Sequence, residues 1–271
     1  MSGTTEPGLL HDPLTRMRLC DLIECSRRFW LRAIIRLPWP AAPIPASVEE
    51  SARHGLEFHQ LMRRHFLDPT IDLGALSDPV RGWWDAWRRS PIPLPPGQRL
   101  PELTLSTPLA GERLLARFDL LLLAPSPDGR TIIVDWKTER RPRTRLELAA
   151  DLQTKLYPFV LAEGAEALAS PGSLAPISPD RVDMVYWQAN DPANPLHFPY
   201  SAAAHAENRS TFSELVSKAR ALSPSFEPPA IEDLAICARC PYATYCGRDA
   251  APAFETDPDD ALYMPELELS P

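Results

Sequence analysis

The chain has 271 residues, of which 44% are hydrophobic, and a formal net charge of −8. This is long enough for one large domain with a sizeable interior, and the acidic balance excludes a protein that coats nucleic acid by electrostatics alone. Its apolar runs are too short to span a bilayer, and the start MSGTTEPGLLHDPL carries neither a charged nor an apolar leader segment, so a cytoplasmic protein without membrane contact is expected.

Residues 1–13 read as a flexible N-terminus. Apolar side chains recur at three- and four-residue spacing over Leu14 to Ile35 and again over Val48 to Phe66, which predicts two helices. A further short helix is expected around Trp83, Trp84 and Trp87, whose stripe is most simply core. Thirty-two prolines gather in stretches such as 37–45, 90–101 and 171–179, and these are read as connections. Two runs rich in β-branched and aliphatic residues, Arg113 to Ala124 and Thr131 to Lys137, flank the turn-forming PSPDGR and predict adjacent antiparallel strands. A helix over Arg145 to Glu163, a strand over Arg181 to Gln188 and a helix over Ala202 to Leu222 follow. The order is that of an α/β core with a helical lead-in. Residues 251–271 are acidic and aperiodic and predict a disordered tail, which leaves 14–250 as the folded domain.

Asp135 and Lys137 lie two apart on a predicted strand, so both side chains leave the same face of the sheet. Asp119 lies on the partner strand and comes near Asp135 if the hairpin register allows. Two carboxylates converging at a strand end are costly unless a cation neutralises them, and hard oxygen donors suit Mg²⁺ or Mn²⁺. A neighbouring lysine can stabilise charge developing at phosphorus, which completes the parts for metal-assisted phosphodiester hydrolysis. Taken alone, an Asp-Xaa-Lys at a strand end is equally a solvated rim.

One acid, a hairpin turn, then Asp135-Trp136-Lys137 resembles the signature of the PD-(D/E)XK nuclease superfamily. Gly55 and His59, four apart on a predicted helix, resemble the glycine–histidine motif of its RecB-like branch, and Gln153 and Tyr157 resemble the Gln-Xaa-Xaa-Xaa-Tyr motif of that branch. The resemblance implies a restriction-endonuclease-like core, a mixed central sheet flanked by helices. It implies His59, Asp119 and Asp135 as metal ligands, with Asp119, Asp135, Lys137, Gln153 and Tyr157 catalytic. Pro158, directly after Tyr157, is a departure that predicts a kink there.

Five cysteines are too few and too unevenly placed for a disulfide framework, and grouped thiols in a reducing compartment bind metal or do redox chemistry. Cys237, Cys240 and Cys246, with Cys25 far upstream, resemble the cluster ligands of the iron–sulfur RecB-like nucleases, among them the AddB-type helicase–nuclease subunit and CRISPR-associated exonucleases. The resemblance implies that the four thiolates hold a [4Fe–4S] cluster that clasps the C-terminus to the helical N-terminal region. Zinc suits four thiolates equally well by chemistry, although the split of one plus three favours the cluster. Cys20 stands outside the pattern and reads most simply as a small buried residue, though it is close enough to Cys25 in sequence to be a substitute ligand.

The implied activity is a Mg²⁺- or Mn²⁺-dependent exonuclease acting on single-stranded DNA or duplex ends, in DNA repair, recombination or CRISPR adaptation. No helicase motif is present, so a helicase or adaptation partner would be a separate chain. The basic run Arg140, Arg141, Arg143 and Arg145 is expected to guide a phosphate backbone. A catalytically idle DNA-binding or scaffolding subunit, stabilised by a cluster or by zinc, remains the alternative.

Overall fold

The computed structural model describes residues 10, 12–38, 46–67, 74, 76–126, 129–168, 177–238 and 240–248. The expected acidic tail over 251–271 and most of the expected N-terminal lead over 1–13 lie outside these residues. The described residues fall into two compact units, one drawn from Met1–Pro43, Ser106–Leu115 and Arg209–Glu255, the other from Ile44–Leu105 and Ala116–Asn208.

In the second unit, helices α3 (Ala46–Leu67) and α4 (Asp78–Arg89) precede a five-stranded sheet of order β1-β2-β3-β4-β5. The strands are β1 (Gln98–Leu109), β2 (Glu112–Leu123), β3 (Thr131–Lys137), β4 (Val182–Gln188) and β5 (Leu196–Pro199), and the far ends of β1 and β2 run into the first unit. β2 and β3 pair antiparallel, as their composition predicts, with Leu120 opposite Val134. β3 and β4 pair parallel, with Asp135 beside Tyr186 and Lys137 beside Gln188, and β4 and β5 are antiparallel. The sheet is therefore mixed and flanked by helices, in agreement with the expected α/β core.

One face of the sheet is sealed by aromatic packing. Leu120, Leu122, Val134, Trp136, Val185 and Trp187 meet Phe58, Leu61 and Met62 of α3 and Val80, Trp84 and Trp87 of α4. Trp187 stacks on Phe58 with ring centroids 5.8 Å apart, and its Nε1 donates to the Ser90 carbonyl at 3.1 Å. Trp84 and Trp87 of α4 are core, as their helical spacing suggested, and Trp83 packs half-buried against them. On the opposite face, α6 (Leu152–Gly164) lies over β4, where Tyr186 Oη and Thr154 Oγ1 are 2.8 Å apart.

The structure revises three readings made from the sequence. Arg145 to Glu163 is not one helix: α5 (Arg145–Ala150) ends at Asp151, which is extended at φ −64°, ψ 135° and whose Oδ1 accepts from the Gln153 N–H at 2.8 Å to cap α6. Leu14 to Ile35 is likewise divided into α1 (Arg16–Glu24), α2 (Ser26–Phe29) and a π-helical turn (Trp30–Ile34), with the extended Cys25 between α1 and α2. The segment 90–101 is not all connection, because β1 begins at Gln98. By contrast α6 continues through Pro158 to Gly164.

In the first unit, α7 (Ala202–Arg220), which begins in the second, and α8 (Leu234–Ala238) join the N-terminal helices. Lys218 Nζ donates to the Leu22 carbonyl at 3.1 Å and Trp30 Nε1 to the Ser223 carbonyl at 2.9 Å. The turn between β1 and β2 has positive φ at Ala110 (49°) and Gly111 (89°), the geometry a tight two-residue hairpin needs.

Because Trp187 is fully buried and contacts α3, α4 and β3, Trp187→Ala is expected to destabilise the fold by about 3–5 kcal/mol. Urea unfolding followed by tryptophan fluorescence measures this.

Candidate metal and phosphodiester site

At the end of β3, three side chains close a ring. Lys137 Nζ lies 2.7 Å from Asp135 Oδ2 and donates to Gln153 Oε1 at 2.9 Å, while Gln153 Nε2 donates to Asp135 Oδ1. All three are buried, Asp135 at 3% exposure. The sheet supplies the acid and the lysine because they are two apart on one strand, and α6 supplies the amide because Asp151 starts that helix two residues earlier. The aromatic face of Tyr186, beside Asp135 on β4, lies 5.5 Å from Lys137 Nζ.

Asp119 stands where β2 stops alternating. Phe118 meets Tyr157 of α6 edge-on at 5.5 Å, whereas Leu120 and Leu122 pack with α3 and α4 on the other face. Residues two apart on a regular strand share a face, so the alternation breaks at Asp119, as at a bulge that re-aims a side chain. Its two oxygens serve different neighbours: Oδ2 accepts from the Trp136 N–H at 2.8 Å, and Oδ1 lies 3.3 Å from His59 Nδ1 on α3.

His59, Glu102 and Asp119 offer donor atoms that all lie within 4.8 Å of one another. Glu102 was not recognised from the sequence. It lies on β1 with φ 53°, a left-handed conformation unusual for a non-glycine residue, and its Oε2 is 3.5 Å from Arg117 Nε. The His59 side chain retains 28% exposure and Asp119 12%, so the group is open to a solvated ion.

Burial and the proximity of the acids to one another govern the electrostatics of the group. Burial pushes Asp135 up to about 6, with Lys137 pulling down and Asp119 adding to the rise. Burial and the nearby Asp119 likewise raise Glu102. For His59 burial opposes protonation, but Asp119 outweighs it and the imidazole is pushed up to about 9. Asp119 is itself held low: burial raises it, yet His59, the Trp136 N–H and Lys137 prevail. The upward shifts of Asp135, Glu102 and His59 each favour proton uptake beside the acids, positive charge of the kind a divalent cation supplies. Asp135 Oδ2 is also buried without a well-directed hydrogen bond. Two carboxylates and an imidazole form a mixed oxygen and nitrogen set that fits Mg²⁺ or Mn²⁺, with Asp135 adjacent.

Of the residues singled out in the sequence, the structure thus brings together Asp135, Lys137 and Gln153, and beside them Asp119 and His59. Tyr157 packs on Phe118, the neighbour of Asp119. Of the basic run, Arg141 pairs with Glu147, Arg143 with Asp151, and Arg145 donates to the His197 carbonyl and lies over Phe198.

In the first unit, Cys25, Cys237, Cys240 and Cys246 line one pocket with Arg28, Leu31 and Tyr242. Cys25 Sγ accepts from the Arg28 N–H at 3.4 Å, so the residue that interrupts the helix also caps the next one and turns its sulfur inward. The Cys240 N–H donates to the Cys237 carbonyl at 2.9 Å and the Cys246 N–H to the Tyr242 carbonyl at 3.0 Å, tight turns that curl the segment around the pocket. Burial raises the thiols of Cys240 and Cys246, with Arg28 and Arg27 respectively opposing the rise.

A model of the PD-(D/E)XK nuclease superfamily matches residues 13–247, and the chain belongs to that superfamily. No curated protein matches it. Among solved structures it resembles the protein SSO0001, at TM-score 0.44 and 13% identity over 89% of this chain and 88% of that one. It also resembles a protein from Eubacterium rectale named "Putative exonuclease", at TM-score 0.46 and 8% identity over 85% of this chain and 88% of that one. At such similarity neither likeness bears on activity.

If Glu102 is a ligand, Glu102→Gln should weaken Mn²⁺ binding by on the order of tenfold or more while leaving thermal stability nearly unchanged. Calorimetric titration beside Asp119→Asn, which should be at least as damaging, checks this.

Proposed function

We propose that this chain is a divalent-metal-dependent DNA nuclease of the RecB-like branch, acting as an exonuclease. One observation carries the reading: the donor set of His59, Glu102 and Asp119 lies beside a buried lysine held by Asp135 and Gln153. In this reading His59, Glu102 and Asp119 would hold the ion, with Asp135 close to Asp119. The ion supplies Lewis-acid polarisation of a phosphoryl oxygen. Lys137, its ammonium fixed between a carboxylate and an amide, stabilises negative charge building on the phosphate oxygens. Asp135 and Gln153 hold that ammonium in place before substrate arrives, so little reorganisation is needed during reaction. Tyr157, on the face of α6 that meets Phe118, closes the wall behind Asp119.

The cysteine pocket supports a [4Fe–4S] cluster, because the three C-terminal thiols and the distant Cys25 meet around one cavity. A metal there ties the two ends of the first unit together and couples folding to metal loading. Zinc is the competing occupant. The RecB-like resemblance favours work on DNA ends in repair, recombination or CRISPR adaptation, in the cytoplasm, beside a helicase or adaptation partner. Among the described residues no helix is long and apolar enough to cross a membrane.

Cleavage of labelled single- and double-stranded DNA should require Mg²⁺ or Mn²⁺ and stop with chelator. Asp119→Asn, Asp135→Asn and Lys137→Gln should each lower the rate by about 100-fold or more. Lys137→Gln should do so with Mn²⁺ affinity retained, since Lys137 holds no ion. Cleavage that survives Asp135→Asn and Lys137→Gln together would place the activity elsewhere.

Anaerobically purified protein should be brown and contain iron and sulfide, with Cys240→Ala losing both colour and solubility while Cys20→Ala keeps them. Colourless protein with stoichiometric zinc would replace the cluster by a zinc site.

A further inference from the structure

The loop between β3 and α5 contains Arg143, which the basic run suggests is a phosphate contact. Its surroundings point elsewhere. Arg143 Nη1 bonds Asp151 Oδ2 at 2.7 Å, and the Asp151 side chain is only 2% exposed. The other oxygen of the same carboxylate, Oδ1, accepts from the Gln153 N–H at 2.8 Å and caps α6. The arginine's own backbone is fixed by a reciprocal amide pair: its N–H donates to Gln188 Oε1 at 2.5 Å, and Gln188 Nε2 donates to its carbonyl at 3.0 Å. Gln188 is the β4 neighbour of Lys137, whose carbonyl accepts from the Ala189 N–H at 2.8 Å.

These contacts form a closed path from the lysine strand through Gln188, Arg143 and Asp151 to Gln153, and back to Lys137 and Asp135. We infer that Arg143 and Asp151 are positioning residues: their ion pair locks the first turn of α6 and so sets the Gln153 amide that orients Lys137. The inference rests on the proposed nuclease reading for its catalytic consequence, but the lock is a property of the fold. A carboxylate that both caps a helix and binds a guanidinium is held at two points, so the helix start cannot rotate without breaking a partly buried ion pair. Gln153, two residues on, therefore has one available placement. Its amide presents Oε1 to Lys137 and Nε2 to Asp135, and a shift of the helix start breaks both bonds at once. Arg143 is thereby separated from the rest of the basic run in role, although it adjoins Arg141 and Arg145 in sequence.

The test uses full-length protein carrying Arg143→Gln, Arg143→Lys, Asp151→Asn and Gln153→Ala, and the double variant Arg143→Gln with Gln153→Ala. Arg143→Gln should lower kcat on the order of tenfold, with KM, the salt dependence of KM and Mn²⁺ affinity unchanged. Arg143→Lys, which keeps one charged bond to Asp151, should recover part of the loss. The double variant should be no slower than Gln153→Ala, because Arg143 acts only through that amide. Independently of any cleavage, hydrogen exchange at the Gln153 N–H should speed up by about tenfold in Arg143→Gln. Should Arg143→Gln not fold, Arg143→Lys and Asp151→Asn carry the same readouts in milder form. A raised KM with a shallower salt dependence and unchanged kcat would make Arg143 a phosphate contact and overturn the inference. So would fully multiplicative losses in the double variant, or unchanged exchange at Gln153. Wild-type protein that cleaves no DNA with either metal would defeat the nuclease reading instead, and the exchange measurement would still decide the lock.

Discussion

The site depends on a carboxylate buried where it is least comfortable. Asp135 is 3% exposed at the end of a central strand, with a second carboxylate, Asp119, close enough to raise it further. An unpaired charge in that position costs several kcal/mol, and the surrounding structure offsets it in two ways. Lys137 and Gln153 close a ring on Asp135 from its own face of the sheet. On the other side Asp119 is drawn toward His59 and the Trp136 N–H, which spreads the negative charge over a wider volume. Glu102 adds a third carboxylate beside Asp119, and Arg117, 3.5 Å away, adds a guanidinium to the lysine and the imidazole. The crowding of acids in a mostly buried volume, which raises Asp135 and Glu102, is the electrostatic reason that the architecture suits a divalent ion.

That constraint explains the break in β2. If the strand alternated regularly, Asp119 would share a face with Leu121, and the α3 histidine, which approaches over the opposite aromatic face, would be out of reach. Interrupting the alternation lets one residue serve both sides: one oxygen bonds the β3 backbone and the other faces α3. The dense packing of Trp87, Trp136, Trp187 and Phe58 then holds α3 against the sheet firmly enough for His59 to keep that distance.

The strand pair bearing Asp119, Asp135 and Lys137 was legible in the sequence because aliphatic and β-branched runs flank a turn-forming segment, and a period of two fixes which side chains share a face. Gln153 was legible through its motif, but the reason it is held was not: Asp151 sits inside an otherwise continuous helical pattern, and only its extended backbone shows that it ends one helix and caps another. Cys25 is the same case, a residue of helical context that breaks the helix to turn its sulfur inward. Glu102 was missed because prolines at 91, 93, 95, 96 and 101 gave its segment the look of a connection, and β1 begins with exposed residues rather than with an alternating apolar signal. An acid with positive φ beside a histidine and an aspartate is visible only once the sheet is formed.

The charge distribution bears on how a polyanion can approach such a chain. The net charge of −8 opposes it at long range, and the basic run beyond β3 offers less than its composition suggests. Arg141 is paired with Glu147 and Arg143 with Asp151, each by a bond of 2.6–2.7 Å. Both arginines therefore have part of their charge answered by a carboxylate, Arg141 at the surface and Arg143 against the buried Asp151. Nearer the donor group, Arg117 is 46% exposed at 3.5 Å from Glu102 and the exposed Arg63 of α3 also acts on Glu102, whereas Lys137 is almost wholly covered beside Asp135. Arg117 and Lys137 thus each face an acid of the site. A cation held among those acids would add to the local positive field at short range, where a polyanion would meet it.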